Sequence, residues 1–110
     1  MANILCKKNG SYIHIIISGN ATIGFAPKAR DFMQTIINGE YTECHIDITR
    51  ISEIDISFLQ LLASFRISMI NVNKKIVFES IPNNHPFIKF ILQVGIRKEY
   101  FFRECSSYAV

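Results

Sequence analysis

The sequence predicts an α/β fold, one domain over residues 1–110 in which a mixed sheet of four to five strands packs with three or more helices. Three observations carry this. Between Cys44 and Leu62 the apolar period changes from two (Cys44, Ile46, Ile48) to the helical spacing of Phe58, Leu61, Leu62, Phe65, Met69 and Val72. Asn9-Gly10 separates two apolar-rich runs, as a tight hairpin requires. From there strand and helix patterns alternate, which implies a sheet with a parallel portion.

Residues 3–8 and 12–18 form the predicted hairpin. With Asn9 and Gly10 as the two turn residues, Cys6 faces Ile13 and Ile4 faces Ile15, leaving one apolar ribbon face. Gly19-Asn20 ends the second strand, and residues 20–25 read as an irregular connection. Pro27 suits a first helical turn, after which Ala29, Phe32, Met33, Ile36 and Ile37 make one stripe that Asn38-Gly39 stops. The central strand runs from about 43 to 48, and residues 49–55 read as a turn. Asp55 is the expected N-cap of a helix reaching about Asn71, its carboxylate accepting the N–H of Ser57 or Phe58 at the positive end of the helix dipole. Ser57 then falls in the first turn, where exposure is expected. A strand at 75–81 follows. Asn84 or His85 caps a third helix with Phe87, Phe90, Ile91 and Val94 inward, ended by Gly95, and residues 100–103 read as a short edge strand.

Composition excludes several classes. Hydrophobic residues make up 49% of the 110, enough for one modest core. The net charge of +3 is scattered, and the basic pairs Lys7-Lys8, Lys74-Lys75 and Arg97-Lys98 read as solvated ends rather than a nucleic-acid surface. Cys6, Cys44 and Cys105 are odd in number and widely spaced, which points to a reducing compartment. The N-terminus has charge after a very short apolar segment, the wrong order for a secretory signal, and no apolar run approaches the roughly 20 residues of a spanning helix. The expectation is a cytoplasmic protein without direct membrane insertion.

Catalytic and metal chemistry find no local support. No nucleophile elbow is present, the glycines are isolated rather than grouped as a phosphate loop, and Cys44 and His45 point to opposite faces of a strand. Neither a cofactor nor a metal is expected, and His14 and His85 read as a sheet-face and a turn residue. Asp47 and Asp55 read as a strand-end and a capping carboxylate rather than as an acid–base pair. Loops at the carboxyl ends of parallel strands form the usual binding edge, which Gly19-Asn20, the turn 49–55 with Ser57, and residues 82–86 can share.

The pattern resembles the STAS domain, the family of anti-sigma factor antagonists and of related domains in sulfate transporters and lipid-transport complexes. Ile15-Ile16-Ile17-Ser18-Gly19 looks like its second strand, residues 45–55 like its central strand and loop, and Phe87 to Ile96 like its last amphipathic helix. Asp55-Ile56-Ser57-Phe58-Leu59 falls where the family has Asp-Ser-Ser/Thr-Gly-Leu. Ile56 thus replaces the motif's first Ser and Phe58 its Gly; Phe58 either tops the buried stripe or caps a docking edge of different shape. The resemblance implies a non-enzymatic regulatory domain of bacterial transcription control, with Ser57 the residue phosphorylated by a kinase-type anti-sigma factor. Its partner surface would take in Asn20, Thr22, Asp47, Arg50, Ser52, Asp55, Ile56 and Phe58. Two alternatives stand beside this: an unmodified constitutive subunit of a membrane transporter or signalling complex, and a small-ligand sensor anchored by Asp47 and Asp55.

Overall fold

The computed structural model describes residues 2–102, and its sheet grows from the first hairpin. Strand β1 (Asn3–Asn9) pairs antiparallel with β2 (Tyr12–Ala21), placing Gly10 and Ser11 in the turn, with Gly10 at a φ of +64°. The turn sits one residue later than the sequence suggests, so Cys6 lies opposite Ile15 and Ile4 opposite Ile17. Sliding a turn by one residue moves each partner by two, which keeps every side chain on its expected face.

The chain continues through α1 (Ala26–Asn38), β3 (Glu43–Ile54), α2 (Ile56–Asn71), β4 (Lys75–Phe78), α3 (Pro86–Gln93) and α4 (Glu99–Phe102). The sheet order is β1-β2-β3-β4, and β3 runs parallel to both of its neighbours. Among the described residues the sheet therefore has four strands accompanied by four helices, within the predicted range. Ile13, Ile15 and Ile17 of β2, Cys44, Ile46 and Ile48 of β3, and Ile76 and Phe78 of β4 are buried in one core with the helices. From α1 the core receives Ala29, Met33 and Ile36; from α2 it receives Phe58, Leu62, Phe65 and Met69. Val72 and Val94 are exposed, because each lies just past the last turn of its helix, where the helical period no longer sets direction.

Three stretches differ from expectation. Strand β3 does not end at residue 48 but continues to Ile54, with its alternation broken: Ile48 and Ile51 are buried while Thr49 and Arg50 between them are exposed. Two register shifts against β2 account for this, since Ile16 faces Asp47 but Ser18 faces Arg50, and Gly19 faces Ile51 but Asn20 faces Glu53. Each shift is an extra residue in β3, a bulge that turns the following side chains over. Strand β4 is shorter than expected and stops at Phe78.

The segment 100–103 is not an edge strand; its described part is the end of α4. Phe101 and Phe102 both contact the rings of Phe78 and Phe87, at centroid distances of 5.2 to 6.3 Å. In a strand these adjacent residues would point to opposite faces, whereas a helical turn lets both reach the same pair of rings.

Lys74 is also not the solvated end that the basic pair suggested. Its Nζ donates to the carbonyls of Ile36, Ile37 and Gly39 at 2.8 to 2.9 Å. A part-buried ammonium thus satisfies the orphan acceptors at the C-terminus of α1, at the negative end of its dipole. Replacing it by the similarly long Lys74→Met strands those carbonyls, and urea unfolding is expected to show a loss of about 2 kcal/mol; an unchanged midpoint would reduce Lys74 to a surface residue.

Candidate functional site

The carboxyl ends of the parallel strands are joined by a small set of hydrogen bonds. Asp55 caps α2 as expected, Oδ1 accepting the N–H of Phe58 at 3.0 Å, while Oδ2 accepts the N–H of Ile23 at 2.8 Å. One carboxylate therefore fixes both the start of α2 and the loop after β2. Nearby, the Ser52 hydroxyl donates to Asn20 Oδ1 at 3.0 Å, tying the bulged ends of β3 and β2 together. Gly19, between the two shifts, has a φ of +84°, a conformation a side chain would strain.

His85 brings in the third segment. Its Nδ1 accepts the N–H of Phe87 at 3.0 Å, capping α3, which leaves Nε2 protonated to donate to the carbonyl of Thr49 at 2.9 Å. The residue is buried. Read from sequence as a turn residue or cap, it also anchors the bulge of β3, a long-range role that no local spacing signals.

Ser57, the second residue of α2, is half-buried rather than exposed. It lines a groove of about 490 Å³ between α1 and α2, together with Ile23, Pro27, Arg30, Gln60 and Ser64. Beside it Ile23 and Ile56 are 68% and 48% exposed, large values for apolar side chains standing next to each other's loops. Ile23 was not singled out from sequence; a lone isoleucine between Thr22 and Gly24 carries no periodicity.

The remaining residues divide. Asn20, Arg50 and Ser52 are exposed and Thr22 is half-buried, all near this edge. Phe58 is fully buried and stacks on Phe25 at 6.0 Å, so it tops the helix stripe and offers no surface to a partner. Asp47 also leaves the edge: it lies within β3, not at its end. There Oδ1 accepts the Thr49 amide at 2.9 Å and hydroxyl at 2.6 Å, holding the first bulge. Seven residues of strand, 48–54, separate it from Asp55, about 20–25 Å, so the two carboxylates do not share a crevice. Instead Asp47 approaches His14 and Glu79 from the neighbouring strands.

Burial pushes the Cys44 thiol up to about 12, which makes it inert, whereas Cys6 is exposed; Cys105 lies outside the described residues.

No protein-family model matches the sequence, and no curated protein does. Solved structures do match. The anti-sigma factor antagonist SpoIIAA of Bacillus, in its phosphorylated form, superposes with a TM-score of 0.68 at 16% identity, over 91% of this chain and 89% of that one. This chain has a STAS-like fold. An anti-sigma factor antagonist from Mycobacterium paratuberculosis matches at a TM-score of 0.66 and 12% identity, covering 97% and 90% of the two chains. A sulfate transporter family protein from Wolinella succinogenes matches at 0.62 and 14%, covering 94% and 88%. Among the described residues of this STAS-like fold, no helix is long and apolar enough to cross a membrane.

Asp55→Ala is expected to destabilise the protein by about 1–2 kcal/mol, because two amides from different segments lose their acceptor. Hydrogen exchange at the amides of Ile23 and Phe58 should accelerate together; acceleration at Phe58 alone would mean that the carboxylate does not fix the loop.

Asp47 gives a pH dependence. Partial burial pushes its carboxyl up, but the two bonds from Thr49 and the charges of His14 and Arg50 outweigh that and hold it below its ordinary 3.8. A folded value below the unfolded one stabilises the fold fully above that pH, and the contribution disappears as pH falls through the folded value. Unfolding midpoints of the wild type should therefore drop more steeply than those of Asp47→Asn as pH falls below about 4.

Proposed function

We propose that this chain is a non-catalytic, cytoplasmic STAS-type regulatory domain of a bacterial signalling system, which docks a protein partner at the edge where α2 begins. Ser57 is the switch. The partner is a kinase-type anti-sigma factor or a related signalling protein, bound when Ser57 is free and released when it is phosphorylated.

The observation that carries this reading is the position of Ser57 in the first turn of the Asp55-capped helix, with the exposed Ile23 and Ile56 beside it. The two isoleucines supply apolar contact at the centre of such an edge, and Asn20, Arg50 and Ser52 supply a polar rim. A phosphate on Ser57 adds about two negative charges near Glu53 and Asp55. The helix N-terminus lowers the cost of that charge within the domain, while an acidic or apolar partner surface facing it would be repelled or left desolvated. The likeness to SpoIIAA, a protein solved in both phosphorylated and unphosphorylated forms, supports the same reading.

Ile56 favours one competing reading. A large exposed apolar residue in place of a hydroxyl suits a permanent interface, as in a constitutive transporter-associated subunit, for which the likeness to a sulfate transporter family protein also speaks.

Parallel pull-downs with wild type, Ser57→Asp and Ile56→Ala, with identification of the retained proteins, separate the two. Capture of an ATP-binding kinase by wild type, reduced tenfold or more by Ser57→Asp, is the expected result. Equal capture by wild type and Ser57→Asp, lost only in Ile56→Ala, would make the domain a constitutive subunit. Phosphorylation of Ser57 by the captured kinase, read by mass spectrometry with Ser57→Ala as the control, completes the test.

A further inference from the structure

We propose that His14, Asp47 and Glu79 form a divalent transition-metal site on the sheet face turned away from the buried side chains of β2 and β3. The proposal does not depend on the docking edge or on Ser57.

The three residues come from three parts of the chain. His14 lies in β2, Asp47 in β3, and Glu79 immediately after β4. All three alternate with buried residues of their strands: Ile13 and Ile15 flank His14, Ile46 and Ile48 flank Asp47, and Phe78 precedes Glu79. Glu79 is held by its own N–H, which donates to the carbonyl of Ile46 at 2.8 Å and so continues the β3–β4 pairing by one residue. A ring nitrogen and two carboxylate oxygens are thereby brought within 4.8 Å of one another on one face of the sheet.

His14 supplies the second observation. Its Nε2 is buried and lies 2.9 Å from Glu79 Oε2, yet makes no aligned hydrogen bond. A buried polar nitrogen without a directional partner is costly. A neutral imidazole using that lone pair on a cation, with the carboxylates as the other ligands, removes the cost. Ligands on a Zn²⁺-sized ion at about 2.0–2.2 Å stand roughly 3.0–3.5 Å apart, which the His14–Glu79 pair already approaches and Asp47 reaches by a small side-chain rotation. Asp47 Oδ1 is engaged by Thr49, an arrangement that orients a ligating carboxylate.

The field agrees in sign. Two carboxylates beside the ring make the local charge negative, which favours a cation there. Lys7, paired with His14 on β1, and Arg50 on β3 are the nearby cations, while His45 is engaged by Glu43. One imidazole among oxygen donors selects borderline ions such as Zn²⁺, Co²⁺ or Ni²⁺ over Mg²⁺ and Ca²⁺, with water completing the shell on this half-exposed face.

The test uses the full chain carrying Cys6→Ser and Cys105→Ser, so that thiolates cannot bind the probe. Zn²⁺ alone is titrated by calorimetry, and the three imidazoles are followed by nitrogen NMR. One ion per chain, a displaced His14 Nε2 resonance, and roughly tenfold or greater weakening in each of His14→Gln, Asp47→Asn and Glu79→Gln are expected. Millimolar Mg²⁺ should not compete. Absence of saturable binding, a shift confined to His45 or His85, or unchanged affinity in His14→Gln would overturn the site; because the wild-type spectrum reports His14 directly, a variant that fails to fold does not obscure the result.

Discussion

The architecture depends on fitting a twelve-residue strand, β3, beside a ten-residue one, β2, in parallel. Two extra residues must be absorbed, and each bulge leaves backbone groups without their ladder partners. The chain meets this with side chains: Asp47 satisfies the amide of Thr49, and His85 satisfies its carbonyl. Gly19 provides the one positive φ on β2, and Asn20 receives Ser52 across the second shift. Each of these residues lies at a place where regular pairing fails. The same bulges carry the end of β3 round to Asp55, so that α2 starts beside the loop after β2.

This explains which parts of the fold were legible. Wherever the backbone is regular, side-chain period reports it, and the helix faces of α1 and α2, the first half of β3 and the Asp55 cap are all visible as spacing. The second half of β3 was not, since a bulge destroys the alternation that identifies a strand and makes Thr49 to Ile54 look like a turn. The hairpin register illustrates a milder failure, in which Asn9-Gly10 located the turn to within one residue and the two-residue side-chain period protected the assignment of faces. For α4 the signal misled, because Tyr100-Phe101-Phe102 has strand-like composition and only the rings of Phe78 and Phe87, far away in sequence, decide otherwise.

The candidate site was half legible for the same reason. Asp55 and Ser57 belong to one local motif, a cap and a first turn, and local chemistry suffices to place them. Ile23, His85 and Lys74 act through partners 32 to 38 residues distant, and no spacing in the chain encodes those contacts. Phe58 shows the limit of motif comparison. A glycine at that point in a helix leaves space, whereas here a phenylalanine is consumed by the core against Phe25, so the bulk that distinguishes the motif does not reach the surface.

That burial bears on what this STAS-like fold requires of its sequence. The frame requires a carboxylate at the cap, an apolar stripe of the right period and a sheet that can bulge; it does not require particular residues at positions 56 and 58. Position 56 is outside the core, so Ile56 changes the surface at the start of α2 without changing the helix that presents it. Position 58 is inside, so Phe58 must be matched by neighbours such as Phe25, and its substitution is a matter of packing. Changes at two positions either side of Ser57 therefore have opposite meanings. A change at 56 alters the exposed surface beside Ser57, whereas a change at 58 alters the interior against which the first turn of α2 is packed.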